Sequence, residues 1–153
     1  MTTPQPAYSN AVPLSAPLYG ASLGDAVRRF FGKYATFSGR ASRSEYWWWF
    51  LVSAVVSGVL EILALVTGGP GGISADGTTY EAPGAGYFIF NIILLIWALA
   101  TIVPHLALLV RRLHDGNFSG FFVFITFVPF IGSLALFVLT LLPPKPEGAR
   151  FDA

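Results

Sequence analysis

The chain has 153 residues, of which 54% are hydrophobic, 16% aromatic and only 11% charged. A soluble domain carries roughly 25% charged residues, so this composition argues against an ordinary water-soluble enzyme, a disordered chain or a nucleic-acid binder. Nine Lys/Arg against eight Asp/Glu leave a formal charge of +1, and zero cysteines exclude a disulfide framework, a thiol nucleophile and a thiolate metal site.

Residues 1–21 carry Pro4, Pro6, Pro13 and Pro17 among small and polar residues, without a basic start or an apolar run. This segment is expected to be a disordered tail, neither a signal peptide nor a helix. Residues 22–45 form the next part. Ser22-Leu-Gly-Asp25 is a capping-box pattern opening a short helix. Leu23, Val27, Phe30, Phe31 and Tyr34 recur on one side of it and Asp25, Arg28, Arg29 and Lys33 on the other. A basic face opposite an aromatic one suits a helix lying in the membrane–water interface. The alternative is a helix packed on a soluble domain, which the rest of the chain does not supply.

Three apolar runs follow within residues 46–142: Tyr46 to Val66, Tyr87 to Val110 and Gly120 to Leu142. Each exceeds the roughly 18 to 20 residues that cross a hydrocarbon core of about 30 Å. The predicted fold class is all-α: a polytopic membrane protein with three transmembrane helices preceded by a short interfacial amphipathic helix. Pro104 and Pro129 predict kinks in the second and third spans. Tyr46, Trp47, Trp48 and Trp49, at about 100° per residue, are expected to ring the first span as an aromatic belt.

Charge placement predicts orientation. Arg28, Arg29, Lys33, Arg40 and Arg43 precede the first span, and Arg111 and Arg112 join the second to the third. The Gly- and Pro-rich loop from Thr67 to Gly86 has no Lys or Arg, and the short tail of residues 143–153 has Lys145 and Arg150. The positive-inside rule then puts the N-terminus and the Arg111 connection in the cytoplasm, with the loop and the C-terminus outside.

The most specific text is Phe37-x-Gly39-Arg40-x-x-Arg43-x-Glu45-Tyr46-Trp47 together with Arg111-Arg-Leu-His-Asp115. This pair of motifs resembles the domain-of-unknown-function 805 family of small bacterial inner-membrane proteins. Ser119-Gly120, Pro129, Ile131 and Gly132 fit as well, and the resemblance covers about Ser22 to Phe151. Members often end in Gly-x-Asn-Arg-[Phe/Tyr]-Gly. Here Gly148, Arg150 and Phe151 match, while Ala149 and Asp152 stand where Asn and Gly are usual. The resemblance implies a bacterial inner-membrane location and carries no activity.

Read as chemistry, Arg40, Arg43, Glu45, Arg111, Arg112, His114 and Asp115 are expected to converge in one polar cluster. Either it clamps the fold and its topology, or it holds a lipid phosphate, a small anion or an acidic segment of a partner. Ser42-x-x-Glu45 is a second capping box, and Asp115-Gly116-Asn117 is a turn sequence. His114 with Asp115 could serve general acid–base chemistry, but no nucleophile pattern accompanies them. The other histidine, His105, lies nine residues or about 13 Å along the same helix, which argues against a metal site. Inside the membrane Glu61 is expected to hydrogen-bond Asn91, the alternative being a proton or cation site. Ser53, Ala54, Ser57 and Gly58 permit close helix contact, within the chain or in a homo-oligomer.

Three functions therefore stay open. One is a non-enzymatic membrane component binding anionic lipid headgroups or a partner. A transporter or channel subunit using Glu61 and Asn91 is the second, and a membrane enzyme using His114 and Asp115 the third. No cofactor, metal or nucleic acid is expected.

Overall fold

The computed structural model describes residues 12–152. In chain order it contains α1 (Leu23–Gly32), α2 (Arg43–Thr67), β1 (Gly72–Ile73), β2 (Tyr80–Glu81), α3 (Ala85–Asp115), a 3-10 segment (Gly120–Phe127), α4 (Ile131–Leu141) and a 3-10 turn (Pro146–Phe151). Two compact units result. One holds the described residues up to Phe50 with those from Val103 onward, and the other is Leu51–Ile102.

Among the described residues, α2 and α3 are long and apolar enough to cross a membrane. At 1.5 Å per residue they extend about 37 and 46 Å. Large apolar side chains along both, including Val55, Val59, Ile62, Ile92, Ile96 and Leu99, are exposed. Such continuous apolar exposure is stable only against lipid or another protein surface.

In the Leu51–Ile102 unit the end of α2 meets the start of α3 backbone to backbone. Gly84 donates its N–H to Gly68 O at 2.8 Å. A Cβ on Gly84 would fall 2.5 Å from Gly68 Cα, so only glycine fits. Between them β1 and β2 pair antiparallel, Gly72 opposite Glu81. Asp76 stabilises their turn by accepting from Ser74 Oγ at 2.5 Å and Thr78 N at 3.1 Å. Those hydrogen bonds hold its carboxyl down at about 2.

The other unit departs from the sequence expectation in several places. The third apolar run is not one helix. Gly120–Phe127 is 3-10, the chain reverses at Val128–Phe130, and α4 returns along it. Pro129 accepts from Ile131 N at 2.7 Å in a γ-turn whose central residue, Phe130, has φ 62 and ψ −49. Gly132 permits the close return, since a Cβ there would fall 1.8 Å from Ile125 O. Eight 3-10 residues and eleven α residues each advance about 16 Å, half of a hydrocarbon core. The proline expected to kink a span instead ends one helix and starts another.

A second difference lies in the Pro-rich segment expected to be disordered through Ala21. Residues 1–11 of it lie outside the described residues. From Val12 onward the chain forms a strap in which Leu18 and Ala21 are buried. Leu18 accepts from Ser42 Oγ at 2.6 Å, and Ala21 N donates to Ser44 Oγ at 2.9 Å. Proline gives such a strap an extended backbone with little conformational entropy to lose.

Third, α1 does not present its basic face outward. Arg29 and Lys33 are buried along with Ala26 and Phe30, whereas Leu23, Phe31 and Tyr34 are exposed. Phe30 stacks on Trp49, ring centroids 3.4 Å apart and planes 15° from parallel. The aromatic belt is thereby broken: Trp49 is core, Trp47 packs edge-on against Phe137 at 5.7 Å, and Trp48 is exposed.

Candidate functional site

The polar residues of the first unit assemble around two carboxylates. Glu45 sits in the first turn of α2, where the Ser42 capping box forms completely. Glu45 N donates to Ser42 Oγ at 3.2 Å and Ser42 N to Glu45 Oε2 at 2.8 Å. The same Oε2 accepts from Leu18 N at 3.0 Å, and Oε1 accepts from Arg29 Nε at 2.5 Å. One carboxylate thus ties the strap, α1 and α2 together. Arg29 extends the tie by donating to Ala16 O at 2.5 Å.

Asp115, fully buried at the end of α3, is the second centre. Its Oδ1 accepts from Tyr19 Oη at 2.8 Å and its Oδ2 from Arg112 Nη1 at 2.8 Å. Burial, then the hydrogen bond to Asp115 and that carboxylate's charge, push the Tyr19 phenol up to about 12. Arg112 donates through Nε to Thr140 O at 3.0 Å and through Nη2 to Leu142 O. A guanidinium on the last carbonyls of α4 is favoured by the helix dipole. This cap sets the end of α4 beside the end of α3.

The C-terminal tail follows from that arrangement. Lys145 N donates to Asp115 O at 2.8 Å, and Gly39 N donates to Phe151 O at 2.7 Å. Arg40 grips Asp152 with two hydrogen bonds, Nε–Oδ1 2.8 Å and Nη2–Oδ2 2.6 Å, which raise its pKa further. The tail expected on the opposite side from the Arg40 segment lies against it, because the broken third run returns to where it started. Asp152, where the resembled pattern has glycine, supplies the partner of Arg40.

Glycines of the entry motif and of the tail pattern are explained by close approach. Gly39 has φ +81, and a Cβ on it would fall 2.6 Å from Ser15 O. On Gly148 a Cβ would fall 2.5 Å from His114 O. The Asp115-Gly116-Asn117 turn is a Schellman cap. Phe118 N donates to Leu113 O and Asn117 N to His114 O, with Asn117 at φ 64.

His114 does not bond Asp115. Its Nδ1 lies 3.1 Å from Gly39 O, and its ring stacks on Phe151 at 3.9 Å with planes 4° apart. The acid–base dyad weighed as an alternative for these neighbours is therefore not formed, since adjacent helix residues point about 100° apart. The same ring lines a cavity of about 640 Å³ together with Phe37, Leu106, Val110, Phe124 and Phe151, an almost wholly apolar wall.

Of the seven residues expected to cluster, Arg40, Glu45, Arg111, Arg112, His114 and Asp115 come together. Arg43 is exposed and bonds none of them. Sequence reading missed Tyr19, Arg29, Lys33 and Asp152 as members. The basic pair was legible as charge on α1, but its inward direction depends on Glu45, sixteen residues beyond Arg29. In the other unit, Asn91 Nδ2 donates to Tyr87 O of its own helix at 2.9 Å. The expected Glu61–Asn91 bond is absent among the described residues; the amide bonds one turn back along its own helix instead. Both side chains are half-buried, as is His105. Gly58 has open space where a Cβ would stand.

Two helices of membrane-spanning length, apolar over their exposed faces, with charge gathered at one end, define a helical integral membrane protein. The family model described as "Protein of unknown function (DUF805)" matches residues 34–153, and the chain belongs to that family. It is 38% identical over 105 residues to inner membrane protein YhaI of Escherichia coli K12, covering 69% of this chain and 73% of that one. To inner membrane protein YhaH of the same strain it is 31% identical over 118 residues, covering 77% and 85%. No solved structure matches. The bilayer of the inner membrane is its environment.

Proposed function

We propose that this protein is a non-enzymatic component of the inner membrane that holds a phospholipid acyl chain beside its charged end. The cavity of about 640 Å³ carries the reading: its wall is apolar, and His114 joins it to the polar cluster. Pockets of this size and character bind apolar molecules and orient them by few polar contacts. The cluster itself favours a holding role over a reactive one, because Glu45 and Asp115 spend their oxygens on structural hydrogen bonds.

In this reading α2 and α3 cross the bilayer, and residues 120–142 dip to about half depth and return, in place of a third crossing. Lys/Arg placement puts residues 34–45, the α3 end and the tail on the cytoplasmic face. Anionic headgroups would meet exposed Arg28 and Arg43 there, each contributing about 1 kcal/mol.

The acyl-chain site is tested by filling it. Val123 lines the cavity, so Val123→Trp should occupy it. Mass spectrometry of protein purified in mild detergent should find phospholipid on the wild type and several-fold less on this variant, at similar Tm. Equal retention by both, or none by either, overturns the proposal.

A further inference from the structure

Around Glu45 charge does not balance. Arg29, Lys33 and Arg111 are 4%, 2% and 1% exposed, and Glu45 is the carboxylate buried among them. Its two oxygens accept from Arg29, Leu18 N and Ser42 N, and neither bonds Lys33 or Arg111. Arg111 spends Nε on Ala107 O at 3.0 Å. Lys33 Nζ and Arg111 Nη2 are left buried without a hydrogen-bond partner among the described residues. Asp152, which also acts on Lys33, is engaged by Arg40 through both oxygens.

An ammonium and a guanidinium within Coulombic reach of one another, both buried and with donors unused, are each costly to bury. What compensates both at once is a compact anion with several acceptor oxygens. A phosphate group has that form: tetrahedral, with one or two negative charges, it suits a point-charge ammonium on one edge and guanidinium N–H groups on another. We propose that Lys33 Nζ, just past the end of α1, and Arg111 Nη2, near the end of α3, form a binding site for a phosphate oxyanion. Burial lowers Lys33 to about 8, with Arg29 and Arg111 acting in the same direction, so at pH 7 roughly nine in ten of these side chains carry the charge that the anion meets.

This goes beyond the acyl-chain site and uses other residues. The phosphate could belong to an anionic lipid or be free in solution, and the two sources separate experimentally. The full chain is purified in detergent, and thermal unfolding is followed at pH 7 while sodium chloride is exchanged for sodium phosphate at constant ionic strength. A second arm exchanges zwitterionic phosphatidylcholine for phosphatidylglycerol in vesicles. A ligand that binds the native state at a hundred times its Kd raises Tm by several degrees. A rise with inorganic phosphate identifies a free anion, and a rise with phosphatidylglycerol alone identifies a lipid headgroup. Lys33→Met removes a buried charge while keeping an unbranched apolar stem, so it should fold and should lose the response by tenfold or more in apparent affinity. Val123→Trp should keep it, which separates this site from the cavity. No response of the wild type in either arm overturns the proposal, as does an equal response from Lys33→Met. Phosphorus analysis of the washed wild type gives a reading that needs no variant: phosphorus far below one per chain, with no uptake on titration, also overturns it.

Discussion

Glu45→Ala leaves Arg29, Lys33 and Arg111 buried together without the carboxylate among them, and frees the Leu18 and Ser42 N–H groups as well. Breaking a buried pair from one side costs about 3–5 kcal/mol, so this variant should lose the folded state in mild detergent or unfold many degrees lower. Lys33→Met should have the opposite sign in phosphate-free buffer, because it removes a desolvated charge. The pH dependence follows from the same group. Lys33 is lowered from 10.5 to about 8. Below 8 both folded and unfolded chains are protonated there and the penalty is present in full. Between 8 and 10.5 the unfolded chain holds more protons, so stability rises with pH. Wild type should therefore gain on Lys33→Met as pH climbs from 7 toward 9.5, by about 2 kcal/mol, since roughly 1.5 pKa units at 1.36 kcal/mol each are crossed in that range. Paired melts across that range check it, and parallel curves for the two proteins would refute it. Tyr19 works the other way only above 10, where its phenol, held up to about 12, stays protonated in the fold.

At the scale of elements, the return of α4 along the 3-10 segment depends on a position without a side chain. Gly132→Val would set a Cβ 1.8 Å from Ile125 O, so the two strands of the hairpin must separate. The Arg112 bonds to Thr140 O and Leu142 O would then be lost with them. A fall in Tm exceeding that of the same change at Gly58, where a Cβ meets open space, is the expected result. How legible these elements were in the chain depends on whether their causes are local. The Ser42–Glu45 box and the Asn117 cap lie within five residues and were readable as spacing. Apolar run length marked α2 and α3, which are helices long and apolar enough to cross a membrane. It could not distinguish a crossing from a hairpin in residues 120–142, because both bury a continuous apolar run. Pro129 signalled a disturbance but not its angle, which Gly132 and the distant Arg112 decide. Charge on α1 read as solvated for a similar reason: periodicity shows that Arg29 and Lys33 share a face, and only Glu45 turns that face inward. Tyr19 left no signal, since an extended proline-rich strap has no periodicity to mark a buried residue.

For the whole molecule the difference between a third crossing and a hairpin has a consequence on a larger scale: it moves the C-terminus across the membrane. With three crossings the tail would face away from Arg40, yet Arg40 and Asp152 are joined by two hydrogen bonds and Gly39 by another to Phe151. The proposed arrangement of two crossings and a hairpin of about 16 Å would keep these groups together. The absence of cysteine makes this directly measurable. Single cysteines at exposed Thr36, Thr78 and Glu147 lie in the lead-in segment, the loop between α2 and α3, and the tail. A membrane-impermeant maleimide added to spheroplasts should label Thr78→Cys alone, and Thr36→Cys and Glu147→Cys only after permeabilisation. A fourth position, Phe130→Cys at the exposed hairpin tip, should stay unlabelled in both states while reacting with a lipid-soluble maleimide. Labelling of Glu147→Cys in intact spheroplasts would mean a third crossing. It would also require the Arg40–Asp152 pair and the Arg112 cap of α4 to be broken, so the topology and the polar cluster stand or fall on one experiment.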